Sequence, residues 1–190
     1  MSRGDKAFNI HENTYRVDAD VVAAFSYRMY TKRTFNTLLN SYLPTFIEPP
    51  GTKFYSDKGV EVINWPEQQY SNEVAKNSRT GRRFKAIVRA LKSLKYEMED
   101  RGITEAKLIA SFLVECLVYN VPEDLLAGDS YTKNVRDCLA SCYAATRPEA
   151  DCRSWLEVNG IKYLFHASQR WTPQQVNDFT VAAWRYCGFS

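Results

Sequence analysis

Arg16-Val-Asp-Ala-Asp-Val-Val-Ala-Ala-Phe25 is a run in which polar and apolar residues alternate. Side chains alternate across a strand. Asp18, Asp20 and Val22 therefore share one face, and Val17, Ala19, Val21, Ala23 and Phe25 form an apolar face opposite. Two neighbouring carboxylates beside an apolar face are costly unless a cation or solvent compensates them. Asp18 and Asp20 are thus candidate metal ligands, with a solvated strand face as the plainer reading. The strand is expected to run from about Tyr15 to Tyr30.

Beyond it, Phe35, Leu38, Leu39 and Leu43 predict a short helix or a covering excursion within Thr31 to Pro50. A hairpin follows. Thr52-Lys-Phe-Tyr55 and Val60-Glu-Val-Ile-Asn64 flank Ser56-Asp-Lys-Gly59, with Gly59 where a positive φ is expected, and Trp65-Pro66 ends the second strand. The rest reads as helical. Arg82 to about Asp100 carries Phe84, Ile87, Val88, Leu91, Leu94 and Met98 on one face and stops at Gly102. Thr104 is expected to cap a helix running through Asn120, with Leu108, Ile109, Phe112, Leu113, Cys116 and Leu117 on its apolar face. Another helix is expected from about Tyr131 to Ala145. Thr172-Pro-Gln-Gln175 is a capping box opening the last one, where Val176, Phe179, Ala183 and Cys187 repeat. Strands first and helices after imply an α+β fold. The expected domains are 1–75, with the strands and hairpin, and 76–190, helical.

The composition is that of a chain able to bury a core: 190 residues, 45% hydrophobic and 14% aromatic. A net charge of +3, from 25 basic and 22 acidic residues, makes no case for generic nucleic-acid binding. The five cysteines contain no C-x-x-C. A zinc site from Cys138, Cys142, Cys152 and His166 matches no standard spacing, so buried reduced thiols, as in a cytoplasmic protein, are the reading. No apolar run is long enough to span a bilayer, and Met1-Ser-Arg-Gly-Asp-Lys6 is no signal peptide. His11 and His166 lack the neighbours of a hydrolytic triad, and no P-loop or dinucleotide-binding glycine turn is present.

Charge is distributed unevenly. From Lys76 to Lys95 the chain is basic and acid-free, and Arg82, Lys85, Arg89 and Lys92 form a stripe opposite the apolar face of their helix. Such a stripe is either a solvated basic face or a phosphate-binding one. Ser111, one turn before Glu115, is either a packing accommodation within its helix or a hydroxyl that donates to a phosphate.

Val17-Asp-Ala-Asp-Val-Val-Ala-Ala-Phe25 resembles the strand bearing the third metal carboxylate in the cyclic GMP-AMP synthase and oligoadenylate synthase-like nucleotidyltransferases, closest to the bacterial branch that makes cyclic oligonucleotide signals. Further segments agree in the family's order: Ile63-Asn-Trp-Pro66; Asn77 through Thr80 and Gly81 to Phe84; Ile87-Val-Arg-Ala-Leu-Lys92; Ser111-Phe-Leu-Val-Glu115 with Asn120-Val-Pro122; and the C-terminal Trp-Thr-Pro and Ala-Ala-Trp-Arg-Tyr. The resemblance implies a nucleotidyltransferase palm packed on a helical lobe, with an NTP (ATP or GTP) and Mg²⁺ or Mn²⁺ between them, and a product used as a signal, often in antiviral defence. It implies that Asp20 is the catalytic third carboxylate, with Asp18 assisting or neighbouring it. Lys92 is then the reader of the donor triphosphate and Ser111 the phosphate-contacting serine, beside Lys85 and Arg89.

The family also carries an h-G-[GS] turn and a D-x-D strand ahead of the third carboxylate. Only a short stretch precedes Asp18, and Ser2-Arg-Gly4 is no such turn. The chain therefore reads as the distal part of such an enzyme, inactive alone. The alternatives are one half of a split enzyme, partnered by a separate N-terminal half, and a non-catalytic nucleotide- or RNA-binding helical module.

Overall fold

A computed structural model describes residues 2–3, 7–10, 19–148, 150, 152–167 and 169–189. The chain divides into two compact units, Met1–Glu67 and Gln68–Ser190. The division falls a few residues before the expected one at 75/76, because the helix opening at Pro66 is bonded to the later helices. The fold is α+β, strands first and helices after.

Among the described residues the strand unit holds three small antiparallel sheets. β1 (Ser2–Arg3), β2 (Phe8–Ile10) and β3 (Ala19–Val21) form one, with Asn9 opposite Asp20. The expected long strand is not continuous. Tyr15–Asp18 lie outside the described residues; beyond them, β3 stops at Val21 and β4 (Phe25–Tyr27) joins a different sheet, pairing with β7 (Gly51–Tyr55). The apolar face expected to be core is also open, with Val21 47% and Phe25 75% exposed. Thr31–Pro50 is not helical. β5 (Tyr30–Asn36) and β6 (Ser41–Phe46) form a hairpin. Its β-branched and aromatic residues suit a pleated surface: the Thr34 and Thr45 hydroxyls lie 2.9 Å apart across the strands, and Phe35 meets Tyr42 edge-on at 5.1 Å. Leu38 and Leu39, read as helix-face residues, sit exposed in its turn.

The hairpin of β7 and β8 (Glu61–Asn64) matches expectation, and Gly59 has φ +72°. Gly51 is needed for close approach: a Cβ there would lie 2.7 Å from the Asn64 carbonyl oxygen and 2.9 Å from Trp65 Nε1. Trp65 is buried and meets Tyr27 edge-on.

The continuous core lies in the helical unit. α1 (Pro66–Arg79) and α2 (Arg83–Asp100) meet in a sharp corner where Gly81 and Arg82 both have positive φ, 56° and 67°. Arg82 caps nothing with its side chain. The α1 end supplies the caps instead. Thr80 Oγ1 accepts from the Phe84 N–H at 3.1 Å, and Asn77 Oδ1 accepts from the Lys85 N–H at 3.0 Å. α2 buries Phe84, Ile87, Val88, Leu91 and Met98, as its spacing predicts.

The expected helix from Thr104 to Asn120 is two helices, α3 (Thr104–Lys107) and α4 (Ser111–Asn120). Ile103, not Thr104, holds the cap position of α3. Periodicity is blind to this break. Ala106, Ile109, Leu113 and Cys116 keep helical spacing on both sides of it and all are buried, while Ala110 leaves the helical region (ψ 145°) and Leu108 is exposed. α5 (Glu123–Leu126), α6 (Tyr131–Thr146) and α7 (Pro173–Tyr186) follow. The α7 capping box forms, and Val176, Phe179 and Ala183 are buried. Cys116, Cys138, Cys142 and Cys152 are buried. Among the described residues no helix is long and apolar enough to cross a membrane.

α1 is tied to α4 by a buried lysine. Lys76 Nζ donates to the Tyr119 and Val121 carbonyls at 2.6 and 2.7 Å, where α4 ends and its carbonyls lack helical partners. Burial pushes the Lys76 ammonium below its ordinary pKa, and the Glu123 carboxylate opposes that shift. Asn120 completes the junction: its side chain donates to the Leu156 carbonyl and accepts from the Leu156 N–H. Lys76→Met should leave two carbonyls without a donor and destabilise the helical unit by about 2–4 kcal/mol. Urea denaturation measures this, and an unchanged midpoint would show the ammonium to be dispensable.

Candidate functional site

The seam between α2 and α4 carries two polar rungs. Lys92 Nζ donates to Glu115 Oε2 at 2.8 Å, and the Tyr96 and Ser111 hydroxyls lie 2.6 Å apart. Lys92 precedes Tyr96 by one turn while Glu115 follows Ser111 by one turn, so the two helices run antiparallel. α1 adds Glu73, which accepts from Gln69 Nε2 at 3.1 Å and pairs with Lys85 Nζ at 3.4 Å. Glu73, Lys85, Arg89, Lys92 and Glu115 line an open cleft of about 160 Å³ floored by Phe84 and Val88.

The two carboxyl groups influence each other and are pushed in opposite directions. Burial pushes Glu73 above the usual carboxyl range, and the Glu115 carboxylate adds to that shift against Gln69 and Lys85. Burial acts upward on Glu115 too, but the hydrogen bonds from Glu73 and Lys92 outweigh it and hold Glu115 below its ordinary value. Two carboxyls in contact retain a proton between them more readily than either does alone.

Of the residues expected to read a triphosphate, Lys85, Arg89 and Lys92 share this cleft. Ser111 is on the adjacent rung. It is not in the middle of a helix but opens α4, at the positive end of that helix's dipole. Asp20 lies on β3 in the strand unit and is exposed; Asp18 lies outside the described residues. Among the described residues no group of three or more His, Cys, Asp or Glu could hold a metal ion. Sequence reasoning missed Glu73 and Tyr96. The available signal was paired four-residue spacing, Lys92/Tyr96 and Ser111/Glu115, on two amphipathic helices.

Residues 71–188 match the cGAS/DncV-like nucleotidyltransferase C-terminal helical domain. The chain is 46% identical over 186 residues to the cyclic dipyrimidine nucleotide synthase CdnE of Legionella pneumophila, covering 98% of this chain and 58% of that protein. It is 34% identical over 189 residues to the cyclic dipurine nucleotide synthase of Elizabethkingia meningoseptica, covering 100% of this chain and 60% of that protein. The structure of Elizabethkingia meningoseptica CdnE with GTP and Apcpp superposes with a TM-score of 0.80 at 34% identity, over 99% of this chain and 64% of that one. The chain thus spans less than two thirds of the length of each.

The raised Glu73 carboxyl has a consequence for stability. A group whose folded pKa exceeds its unfolded one stabilises fully below the unfolded value, and that contribution is lost as pH rises through the folded value. Glu115, held low, behaves oppositely, losing its contribution as pH falls. Glu73→Gln should therefore gain on the parent as pH rises from acid through the raised Glu73 range. Urea denaturation across a pH series tests this, and a difference independent of pH would contradict it.

Proposed function

This chain belongs to the cGAS/DncV-like nucleotidyltransferase family, and on that premise we propose that it serves the synthesis of a cyclic oligonucleotide signal from nucleoside triphosphates. In this reading the cleft of the helical unit receives the donor triphosphate. The observation that carries it is the convergence of Lys85, Arg89 and Lys92 on one cleft beside the start of α4. Lys92 supplies a charge-assisted contact to phosphate oxygens, Lys85 and Arg89 lower the potential for the polyanion, and the Ser111 hydroxyl and the α4 dipole add a neutral donor and a partial positive charge. ATP and GTP are the proposed substrates. The GTP and ATP analogue present in the Elizabethkingia meningoseptica structure support a triphosphate, while the dipyrimidine and dipurine names of the relatives leave base preference to other residues.

The family's use of divalent metal suggests Mg²⁺ or Mn²⁺, with Asp20 as one carboxylate ligand and Asp18 its neighbour in sequence. Metal would then screen the charge that develops at the reacting phosphate. The basic set of this chain acts on the rest of the polyphosphate and does not depend on that metal for its charge. A cytoplasmic setting, where nucleoside triphosphates are available, is part of the proposal.

Lys92→Ala should weaken ATP and GTP binding about 10- to 100-fold, the loss of one charge-assisted contact of about 1.5–3 kcal/mol. Isothermal titration measures it. Affinity unchanged by the substitution would remove the cleft from the function. Wherever synthesis is observed with the parent, Asp20→Asn should abolish it and leave Lys92-dependent binding intact.

A further inference from the structure

The cationic cleft already contains its own anions. Glu115 from α4 holds Lys92 at 2.8 Å, and Glu73 from α1 holds Lys85 at 3.4 Å. Both carboxylates are more enclosed than the lysines they hold, with side-chain exposures of 15% and 16% against 29% and 38%. A polyphosphate entering from the open side therefore meets ammonium groups whose inner sides are occupied. It must either share each lysine with a glutamate or displace the glutamate.

Displacement is unfavourable if the freed carboxylates stay ionised. They would face a new polyanion from a half-buried position, where charges are weakly screened. Protonation removes that repulsion. Glu73 is the member that takes the proton, because burial and the adjacent Glu115 carboxylate favour its neutral form over the opposing hydrogen bond from Gln69 Nε2. The groups around it are Gln69 on α1, Lys85, Arg89 and Lys92 on α2, and Glu115 and Cys116 on α4. Beyond Cys116, Glu157 is held by Asn159, Gln169 and Lys162. Cys116, whose thiol burial pushes up, does not compete for the proton.

We propose that Glu73 and Glu115 form a counterion gate on the cleft: they occupy Lys85 and Lys92 while it is empty, and release them to a polyphosphate by taking up a proton from solvent. The proposal rests on the polyphosphate reading of the cleft and adds its regulation: binding becomes proton-linked, tighter as pH falls. No covalent bond changes; one proton moves from water to the carboxyl pair as the anion exchanges for it at the lysines. The gate also selects for charge number, since a ligand with few negative charges gains too little from the lysines to displace the glutamates.

Isothermal titration of the chain with inorganic tripolyphosphate, in buffers of different ionisation enthalpy, counts the protons taken up on binding. The proposal expects uptake by the parent beyond that of Glu115→Gln and Glu73→Gln, which report the ligand's own protonation. It expects Glu115→Gln to bind up to roughly tenfold tighter at neutral pH, the equivalent of one pKa unit of relieved competition. Thermal melts establish that each variant is folded, and the two single variants test the pair independently. Binding that requires Lys92 but shows the same proton uptake in the parent and both variants overturns the gate and leaves the phosphate site standing. Binding weakened by Glu115→Gln overturns it as well, by making the glutamate a support for the ligand. Tripolyphosphate binding that Lys92→Ala does not change overturns the phosphate reading itself, and the gate with it.

Discussion

The buried ammonium of Lys76, bonded to the last carbonyls of α4, is the constraint on which the helical unit depends. A charge in that position holds only where carbonyls meet it on short, well-aimed bonds, as they do at 2.6 and 2.7 Å. The bond settles where α1 lies against α4. It thereby settles Glu73, one turn earlier on α1, beside Glu115 and Lys85. Asn77, the next residue, and Thr80, one turn later, then hold the first amides of α2. The start of α2 sets the rotation of that helix, and so the direction in which Lys85, Arg89 and Lys92 project. One lysine used for architecture places three cations available for chemistry.

Much of what makes the sequence resemble its family belongs to this architecture and not to the cleft. Asn77 and Thr80 are caps. Asn120 pairs with the Leu156 backbone as a strand neighbour would, and Trp171 Nε1 donates to the Leu164 carbonyl ahead of the Thr172 cap. Each satisfies a backbone group that burial would otherwise leave unpaired. These residues determine where the helices lie. The cleft, by contrast, is a balance of charges. Three cations face two carboxyls, and removal of either carboxyl changes the field that a polyanion meets.

Local order was legible wherever its cause was local. α2 and α7 follow from apolar residues at three- and four-residue spacing, and α7 from a capping box written into four consecutive residues. The β7–β8 hairpin follows from its glycine turn. Lys85, Arg89 and Lys92 could be placed on one face for the same reason, since helix geometry alone puts them there. The readings that differ from the structure had remote causes. The Tyr30–Phe46 hairpin depends on cross-strand partners such as Thr34 and Thr45, and the spacing of its leucines imitates a helix. The break before Ser111 leaves the apolar period intact, so the period carries no trace of it.

The sequence by itself determined the class of fold, the position of the main helices and the basic face of α2, because capping and periodicity act over a few residues. Only the tertiary structure decided what that face does. It brought Glu115, far along the chain, against Lys92, set Glu73 against both Glu115 and Lys85, and moved Ser111 from the middle of a helix to its start. The physical reason is that a charge acquires its meaning from its counter-charge and its solvent. Both are supplied by packing between helices, and no local pattern in the chain encodes which carboxylate a lysine will meet.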